Sequence, residues 1–260
     1  MSRKKVGLAL SGGGARGFAH LGVLRVLEQN GIHVDLIAGT SAGSFVGGAV
    51  AAGLSAEDIL KAGADLSWFS IAGLSYSPRG LLSNGGIAKF VNKHFPAARF
   101  EDLKTPFAAV ACDIDSGDEI VLKGKGEVAP AIRASCAIPG VFTPVRIDGK
   151  QLVDGGVVSP VPVNAVREMG AEIVIAVDLL ACGATYRGTP LTALGMVFQS
   201  AMMLLRAASR SQHYNADAVI VPPIAHIRPD EMRKRDELVR LGESSGREMV
   251  GKIKALLDGY

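Results

Sequence analysis

The sequence predicts an α/β fold in which a mostly parallel sheet lies between two layers of helices. Two observations predict it: short runs that are apolar at almost every position recur along the chain, and stretches with helical periodicity separate them. An uninterrupted apolar run is typical of a strand buried on both faces, and parallel strands need long crossover connections. With 260 residues, 48% of them hydrophobic, the chain is long enough to bury a large core. We therefore expect a three-layer α/β/α sandwich.

The N-terminal part of the chain shows this alternation most clearly. Val6–Leu10 is an apolar run that ends in glycines, and apolar residues then recur at three-residue spacing from Phe18 to Leu27. This spacing predicts a strand followed by a helix with one apolar face, and Gly31 is suited to end that helix. A second strand at 34–38 completes a βαβ unit.

Helices and strands continue the pattern towards the C-terminus. Ser55, with Asp58 three residues later, forms a capping box for a helix that ends near residue 64. Asp148 and Gly149 suit the tight turn of a hairpin. Further strands are predicted at 107–111, 119–122, 145–147, 151–153, 173–177 and 218–221, and further helices at 42–52, 86–95, 191–214 and 236–257.

Charge and hydropathy argue against two classes of protein. The net charge is only +3, and basic residues form only short clusters, at 3–5 and 233–235, so nucleic-acid binding is not expected. The most apolar helical stretch, 191–208, is interrupted by Gln199 and Arg206, so no transmembrane segment is expected. The basic residues 1–5 lead straight into a strand, which predicts a cytoplasmic protein and leaves peripheral contact with the inner membrane surface open.

The candidate nucleophile is Ser41, in the pentapeptide Gly-Thr-Ser-Ala-Gly. A predicted strand precedes this pentapeptide and a predicted helix follows it, which is the layout of a nucleophile elbow. Gly39 and Gly43 lack the Cβ atoms that would clash at such a sharp turn. The pattern therefore indicates acyl-transfer chemistry at Ser41.

A glycine-rich loop between the first strand and the first helix is a candidate anion site. Backbone N–H groups at the start of a helix bind anions, and in acyl transfer the anion is the oxygen of the tetrahedral intermediate. The loop residues are Gly12, Gly13, Gly14, Ala15, Arg16 and Gly17. We predict that the amides of Gly13 and Gly14 hold this oxygen, with Arg16 as a further candidate.

Asp154 is the candidate general base. It ends a predicted strand, and Gly155 and Gly156 allow another backbone to approach it closely. A serine hydroxyl needs a positioned base, and burial of a carboxylate raises its pKa and makes it a better one. This chemistry requires neither a metal nor another cofactor.

Three motifs, in this order, resemble the patatin-like phospholipase family: Gly-Gly-Gly-Ala-Arg-Gly at 12–17, Gly-Thr-Ser-Ala-Gly at 39–43 and Asp-Gly-Gly at 154–156. The residues at 20–24 and 133–140 fit the same resemblance. It implies a patatin-like fold, a Ser-Asp dyad and a glycine-loop oxyanion hole, which hydrolyse acyl esters such as phospholipids. The size of the chain resembles the small stand-alone bacterial members.

The chain is predicted to consist of a catalytic domain and a C-terminal extension. Residues 5–225 are predicted to form the catalytic domain, and residues 226–260 a C-terminal helical extension packed on it. Within the first part, residues 65–84 lose periodicity and contain the only tryptophan, Trp68. A long loop without regular structure is often functional, so this segment is predicted to cover a cleft.

Three other interpretations stay open. Residues 12–17 also match the dinucleotide-binding pattern GxGxxG, with Asp35 near the position of a ribose-binding acid. His213 and His226 follow Ser41 in the chain order of an α/β-hydrolase triad. The third interpretation is a non-catalytic or regulatory binding protein with the same fold.

Several conspicuous residues are assigned structural roles. Asp113, Asp115 and Asp118 surround a Ser-Gly pair and fit a hairpin turn better than a metal site. His20 lies within the first predicted helix and fits a packed structural residue. The apolar residues 202–205 could line an acyl-chain cleft or meet a membrane, but core packing explains them at least as well.

Overall fold

A computed structural model describes residues 3–63, 68–75, 80–185 and 190–259, and in it an eight-stranded sheet is covered by helices on both faces. The strands are β1 (Val6–Leu10), β2 (Leu36–Thr40), β3 (Gly73–Leu74), β4 (Gly80–Ser83), β5 (Phe107–Asp113), β6 (Glu119–Lys123), β7 (Gly140–Phe142), β8 (Val145–Ile147), β9 (Lys150–Asp154), β10 (Ile173–Val177) and β11 (Ala218–Ile220). The helices are α1 (Phe18–Gln29), α2 (Ala42–Ala51), α3 (Ala56–Ala62), α4 (Trp68–Ile71), α5 (Gly85–His94), α6 (Val128–Ser135), α7 (Val163–Glu168), α8 (Ala193–Gln212) and α9 (Arg235–Asp258). The predicted α/β class is confirmed.

The strand order of the main sheet is β11-β10-β1-β2-β5-β9-β8, with β6 also paired to β5. The first five strands of this order are parallel, whereas β9, β8 and β6 join in antiparallel pairs. The carboxyl ends of parallel strands meet at one edge of a sheet, where ligands bind in folds of this kind. This topology brings the loop after β1 and the turn after β2 to the same edge.

The central strands are apolar throughout because helices cover both faces of the sheet. Leu8 and Leu10 belong to a core cluster that includes side chains of α1 and α2. Ala9 and Ala38 face the other way, into a cluster that includes Val166 of α7. The period of two along each strand therefore assigns alternate residues to the two cores.

The C-terminal helix α9 packs directly along α1. A Cβ atom at Gly22 would lie 2.0 Å from the carbonyl oxygen of Val239, and one at Gly242 would lie 2.1 Å from that of Ala19. Only glycine allows the two backbones to approach this closely. The helix α9 thus belongs to the same helical layer as α1. The predicted boundary between the catalytic domain and the C-terminal extension, at residue 225, stays a prediction.

Sequence periodicity did not predict α6, α7 or the small sheet of β3, β4 and β7. Pro130 stands inside α6, but at the third helical position, where the missing N–H would have no partner within the helix. The other elements are six residues long or shorter, too short for a periodic pattern to show.

The segment 65–84 contains more regular structure than its composition indicated. Its described residues, 68–75 and 80–84, include α4, β3 and β4. Residues 65–67 and 76–79 lie outside the described residues. Its role as a cover for a cleft stays a prediction.

Candidate active site

Ser41 occupies a sharp turn between β2 and α2. Its backbone angles are φ 53° and ψ −122°, in a region that residues other than glycine rarely adopt. A Cβ atom at Gly39 would lie 2.3 Å from the carbonyl oxygen of Gly43, and one at Gly43 would lie 2.1 Å from that of Leu10. The two glycines therefore make room for a turn that presents the serine side chain at the sheet edge.

Ser135, at the end of α6, supports this turn from the side. Its hydroxyl accepts a hydrogen bond from the amide of Ser41 at 2.9 Å and donates one to the carbonyl of Val110 at 2.6 Å. It fixes the strained residue without touching its hydroxyl. Ser135 lies in the stretch 133–140 that fits the resemblance, but the sequence assigned it no role, because that role depends on the packing of α6 against β5.

Sheet register brings Asp154 to Ser41. Along one edge of β5, β2 pairs as far as Thr40 with Val110, and β9 pairs from the next residue onwards, with its last residue, Asp154, opposite Ala111. The other edge of β5 is occupied by β6. The pairing of β2 therefore ends where the pairing of β9 begins, so Ser41, which follows β2, lies next to Asp154, and the interaction with the Ser41 side chain lowers the pKa of Asp154.

Asp154 is buried, and its surroundings change its proton affinity. Burial raises the pKa of Asp154 to about 6, against the opposing effects of hydrogen bonds from the Ser41 hydroxyl and the Gly156 amide. The hydrogen bond from the Gly156 amide to the Asp154 carboxylate is 2.8 Å long. A Cβ atom at Gly155 would lie 2.2 Å from the carbonyl oxygen of Val110, so glycine is required there. The result is a carboxylate that is ionised at neutral pH yet more basic than an ordinary aspartate.

The glycine loop lies beside Ser41. A Cβ atom at Gly12 would lie 3.3 Å from the Cβ of Ser41, and one at Gly17 would lie 2.9 Å from the Cβ of Ala42. Larger residues would separate the loop from the turn. The loop therefore brings backbone amides close to the serine.

Two amides of the loop are available to a ligand. The amides of Gly12, Ala15 and Arg16 donate to carbonyl oxygens of the protein. In the part of the chain that the structure describes, the amides of Gly13 and Gly14 donate to none. These are the two donors that the sequence assigned to an anion.

Arg16 does not point to Ser41, which corrects the expectation for its side chain. The guanidinium is buried and donates from Nε to the carbonyl of Ile227 at 2.7 Å. Nη1 lies 3.3 Å from the carbonyl oxygen of Leu179 and 3.2 Å from that of Gly183. Through these hydrogen bonds, Arg16 connects the glycine loop with the segments that follow β10 and β11, which lie around the start of α1.

His20 also holds the glycine loop in place. Its Nε2 donates to the carbonyl of Ser11 at 2.9 Å, and burial lowers the pKa of His20 to about 4, so the ring is neutral at neutral pH. The Ser11 hydroxyl accepts from the amide of Leu179 at 2.8 Å and donates to the carbonyl of Gly12 at 2.9 Å. His20 therefore acts on the loop and not on the Ser41 hydroxyl.

An apolar cavity of about 120 Å³ opens at Ser41. Its lining residues are Gly14, Ala15, Gly17, Phe18, Leu21, Ser41, Ala42, Phe45, Val46, Ile59, Gly63, Ile71, Ile87, Cys136, Ile138, Phe142 and Met232. None of these is charged, and apart from the Ser41 hydroxyl and the Cys136 thiol their side chains have no groups that donate hydrogen bonds. A hydrocarbon chain suits such a lining, whereas a sugar or a charged group would lose its hydration without compensation.

Asp35 lies at the other edge of the sheet from the glycine loop. Its carboxylate accepts from the amide of Val6 at 2.8 Å and from Arg3, at the amino ends of β1 and β2. A ribose-binding acid has to reach a nucleotide held at the carboxyl ends of the strands. The geometry therefore contradicts the dinucleotide-binding interpretation.

The two candidate triad histidines pair with carboxylates instead of with Ser41. His213 Nε2 lies 2.7 Å from Asp178, and His226 Nε2 lies 2.9 Å from Glu237. The arrangement therefore differs from an α/β-hydrolase triad.

The aspartates after β5 form a turn. Asp113 accepts from Lys150 at 3.1 Å and from the amide of Asp115, and Asp118 accepts from the Ser116 hydroxyl at 2.8 Å. Across the described residues, no group of three or more His, Cys, Asp or Glu side chains is placed to hold a metal ion. No helix among them combines the length and apolar character needed to cross a bilayer.

Comparison of the chain with known proteins gives a family match. The family model described as patatin-like phospholipase matches residues 8–167. A protein of Mycobacterium tuberculosis described as an uncharacterized NTE family protein is 38% identical over 181 residues, which cover 68% of this chain and 50% of that protein. Lysophospholipase NTE1 of Candida albicans is 34% identical over 185 residues, covering 69% of this chain and 13% of that protein. The chain thus spans half or less of the length of these curated relatives.

Among solved structures, VipD from Legionella pneumophila has a similar fold. It aligns with a TM-score of 0.67 and 15% sequence identity, covering 96% of this chain and 67% of that one. At this identity, the likeness concerns the fold alone.

Proposed function

We propose, given that this chain belongs to the patatin-like phospholipase family, that it is a serine hydrolase that cleaves acyl esters of lipids by means of Ser41 and Asp154. The observation that carries this proposal is the position of Ser41 beside the buried Asp154 carboxylate, whose pKa it lowers, together with the amides of Gly13 and Gly14, which donate to no carbonyl oxygen among the described residues. A carboxylate in this position can act as a general base without a histidine.

The first half of the reaction forms an acyl-enzyme. The Ser41 oxygen attacks the ester carbonyl carbon while its proton moves to Asp154, and the electron pair of the carbonyl bond moves to the carbonyl oxygen. The amides of Gly13 and Gly14 donate to this oxyanion, and each such donor is worth about 10² to 10³ in rate. When the intermediate collapses, the ester C–O bond breaks and the leaving alcohol takes the proton from Asp154.

The second half releases the acid. A water molecule attacks the acyl carbon while Asp154 takes its proton, and the same two amides stabilise the second oxyanion. The bond between the acyl carbon and the Ser41 oxygen then breaks, and the proton on Asp154 returns to the serine. The proposed cycle consumes one water molecule, involves no redox step and requires no cofactor.

The cavity at Ser41 supports a lipid acyl chain as the part of the substrate that is recognised. Its uncharged lining fits hydrocarbon, and an acyl chain bound there would have its ester carbonyl near Ser41, which is part of the lining. The proposed substrates are phospholipids, lysophospholipids and simpler acyl esters, in keeping with the lysophospholipase named among the relatives.

Hydrolysis of a chromogenic acyl ester tests the proposal. Ser41→Ala and Asp154→Asn are expected to reduce turnover by about 10³-fold or more, because each removes a group needed for the covalent step. Ser116→Ala and Asp115→Asn make the same chemical changes in an exposed turn and serve as matched controls. Full activity in both site variants, with folding checked by circular dichroism, would refute the proposal and favour a non-catalytic binding protein.

A further inference from the structure

An apolar stripe runs along the outward side of α8. Met196, Val197, Met203 and Leu204 are 53%, 66%, 62% and 72% exposed. Their spacing of one, seven and eight residues from Met196 places them on the same face of an α-helix. These four residues are called the outer face of α8 below.

The opposite side of α8 contacts the segment that follows Asp154. Leu205, on the other side of the helix from Met196, lies close to Gly156, where a Cβ atom would be 3.4 Å from its Cδ1. Further along, Gln212 donates to the Ser159 hydroxyl at 3.2 Å. The helix therefore has one side on the segment that follows Asp154 and an apolar side towards solvent.

The charge on α8 is entirely positive. Its charged residues are Arg206 and Arg210, and it contains no acidic residue. Both guanidinium groups donate to the carbonyl of Ala181 at 3.0 Å, so the two positive charges lie next to each other beside the C-terminal half of the helix. A helix with an apolar face and only basic charges is typical of one that lies in a membrane interface.

We infer that the outer face of α8 docks onto a lipid surface with net negative charge. A folded protein rarely leaves a row of large apolar side chains in water unless that surface binds something. The charge decides between occupants: lipid phosphates complement the two arginines, whereas the same helix of a second copy would bring two more arginines and no carboxylate. This inference rests on the proposed function, because a lipid hydrolase needs its candidate active site close to lipid, and α8 packs against the segment beside Asp154.

Vesicle flotation tests this inference, with Ser41→Ala as the parent protein so that hydrolysis does not alter the lipid. The parent is expected to float with vesicles of phosphatidylcholine and phosphatidylglycerol, and much less with phosphatidylcholine alone. Met203→Asp combined with Leu204→Asp should reduce the bound fraction about tenfold or more, because two large apolar side chains become charged. Ile114→Asp replaces an exposed apolar residue outside α8 and should bind like the parent.

Three results would overturn the inference. They are a parent that floats with neither vesicle, a double variant that floats as well as the parent, and a dimer in light scattering that the double variant dissociates, which would assign the face to a second copy. If the double aspartate variant fails to fold, Met203→Ser combined with Leu204→Ser replaces it and should also lose binding. The readout is independent of catalysis, so it can fail or succeed whether or not Ser41 reacts.

Discussion

Ser41 lies beside Asp154 because β2 and β9 pair with the same edge of β5 at consecutive residues. Backbone pairing within a sheet therefore sets the distance between Ser41 and Asp154, the proposed nucleophile and base. Groups positioned by regular structure hold their geometry better than groups on loops. The same register buries Asp154 and gives it the raised pKa on which several predictions depend.

The rate of ester hydrolysis should depend on pH with a midpoint near the pKa of Asp154. Burial raises that pKa to about 6, and only the ionised carboxylate accepts the serine proton. kcat/KM for a soluble chromogenic ester should be constant above this pH and fall about tenfold per pH unit below it. A profile that stays flat down to pH 4.5 would show that another group is the base.

Asp154→Asn should stabilise the protein at neutral pH. The folded state holds the Asp154 proton more tightly than the unfolded chain, since the pKa is about 6 against 3.8. The stability that the carboxyl group contributes is therefore complete below about pH 4 and is lost as the pH rises to about 6. Ionisation in the buried site then costs about 3 kcal/mol, which asparagine avoids.

Chemical denaturation at two pH values measures this difference. The free energy of unfolding of Asp154→Asn should exceed that of the wild type at pH 8, and the two should converge near pH 4. Equal stability at pH 8 would mean that Asp154 is solvated more than its burial indicates.

Gly43→Ala should prevent the sharp turn at Ser41. The new Cβ atom would lie 2.1 Å from the carbonyl oxygen of Leu10, a contact that requires the backbone of β1 or α2 to move. A loss of more than about 3 kcal/mol in the free energy of unfolding is expected. Thermal or urea denaturation measures it.

Gly251→Ala is the matched control for that change. Gly251 lies in α9, and a Cβ atom added there would have no other atom within 4 Å, so alanine meets no clash. It should raise stability by about 0.5–1 kcal/mol, because alanine favours the helix. If both variants lose stability equally, the close packing around Ser41 is not the cause.

Ile138→Trp should shift the enzyme towards esters of shorter acids. Ile138 lines the cavity at Ser41, and a larger side chain leaves less room for an acyl chain. kcat/KM should fall at least about tenfold for long-chain esters and change less than about threefold for acetate. Ile147→Trp, at a half-buried position outside the cavity lining, should leave the ratio of kcat/KM for long-chain esters to kcat/KM for acetate unchanged. If this ratio is also unchanged in Ile138→Trp, the cavity does not recognise the acyl chain.

The sequence predicted those features that depend on residues close together in the chain. The turn at Ser41 could be predicted because Gly39 and Gly43 lack the Cβ atoms that would clash on either side of it. The capping box of Ser55 and Asp58 forms as expected. The hairpin at 148 and 149 has positive φ at both residues, as its Asp-Gly pair indicated.

Features that depend on long-range packing were beyond the sequence. β2 and β9 lie on the same edge of β5 although Ser41 and Asp154 are more than a hundred positions apart in the chain. The sequence of one strand does not show how that strand pairs with β5, so this register could not be predicted. The direction of Arg16 was misjudged because its acceptors, at 179, 183 and 227, come from distant segments. Ser135 was missed for the same reason.

Covalent labelling with a fluorophosphonate probe, followed by mass spectrometry of the peptides, tests the central claim most directly. The probe reacts with an activated serine, so the predicted result is one adduct, on Ser41, whose rate of formation falls about 10²-fold or more in Asp154→Asn. An adduct on another residue, or labelling of Ser41 at an undiminished rate without the carboxylate, would contradict the account.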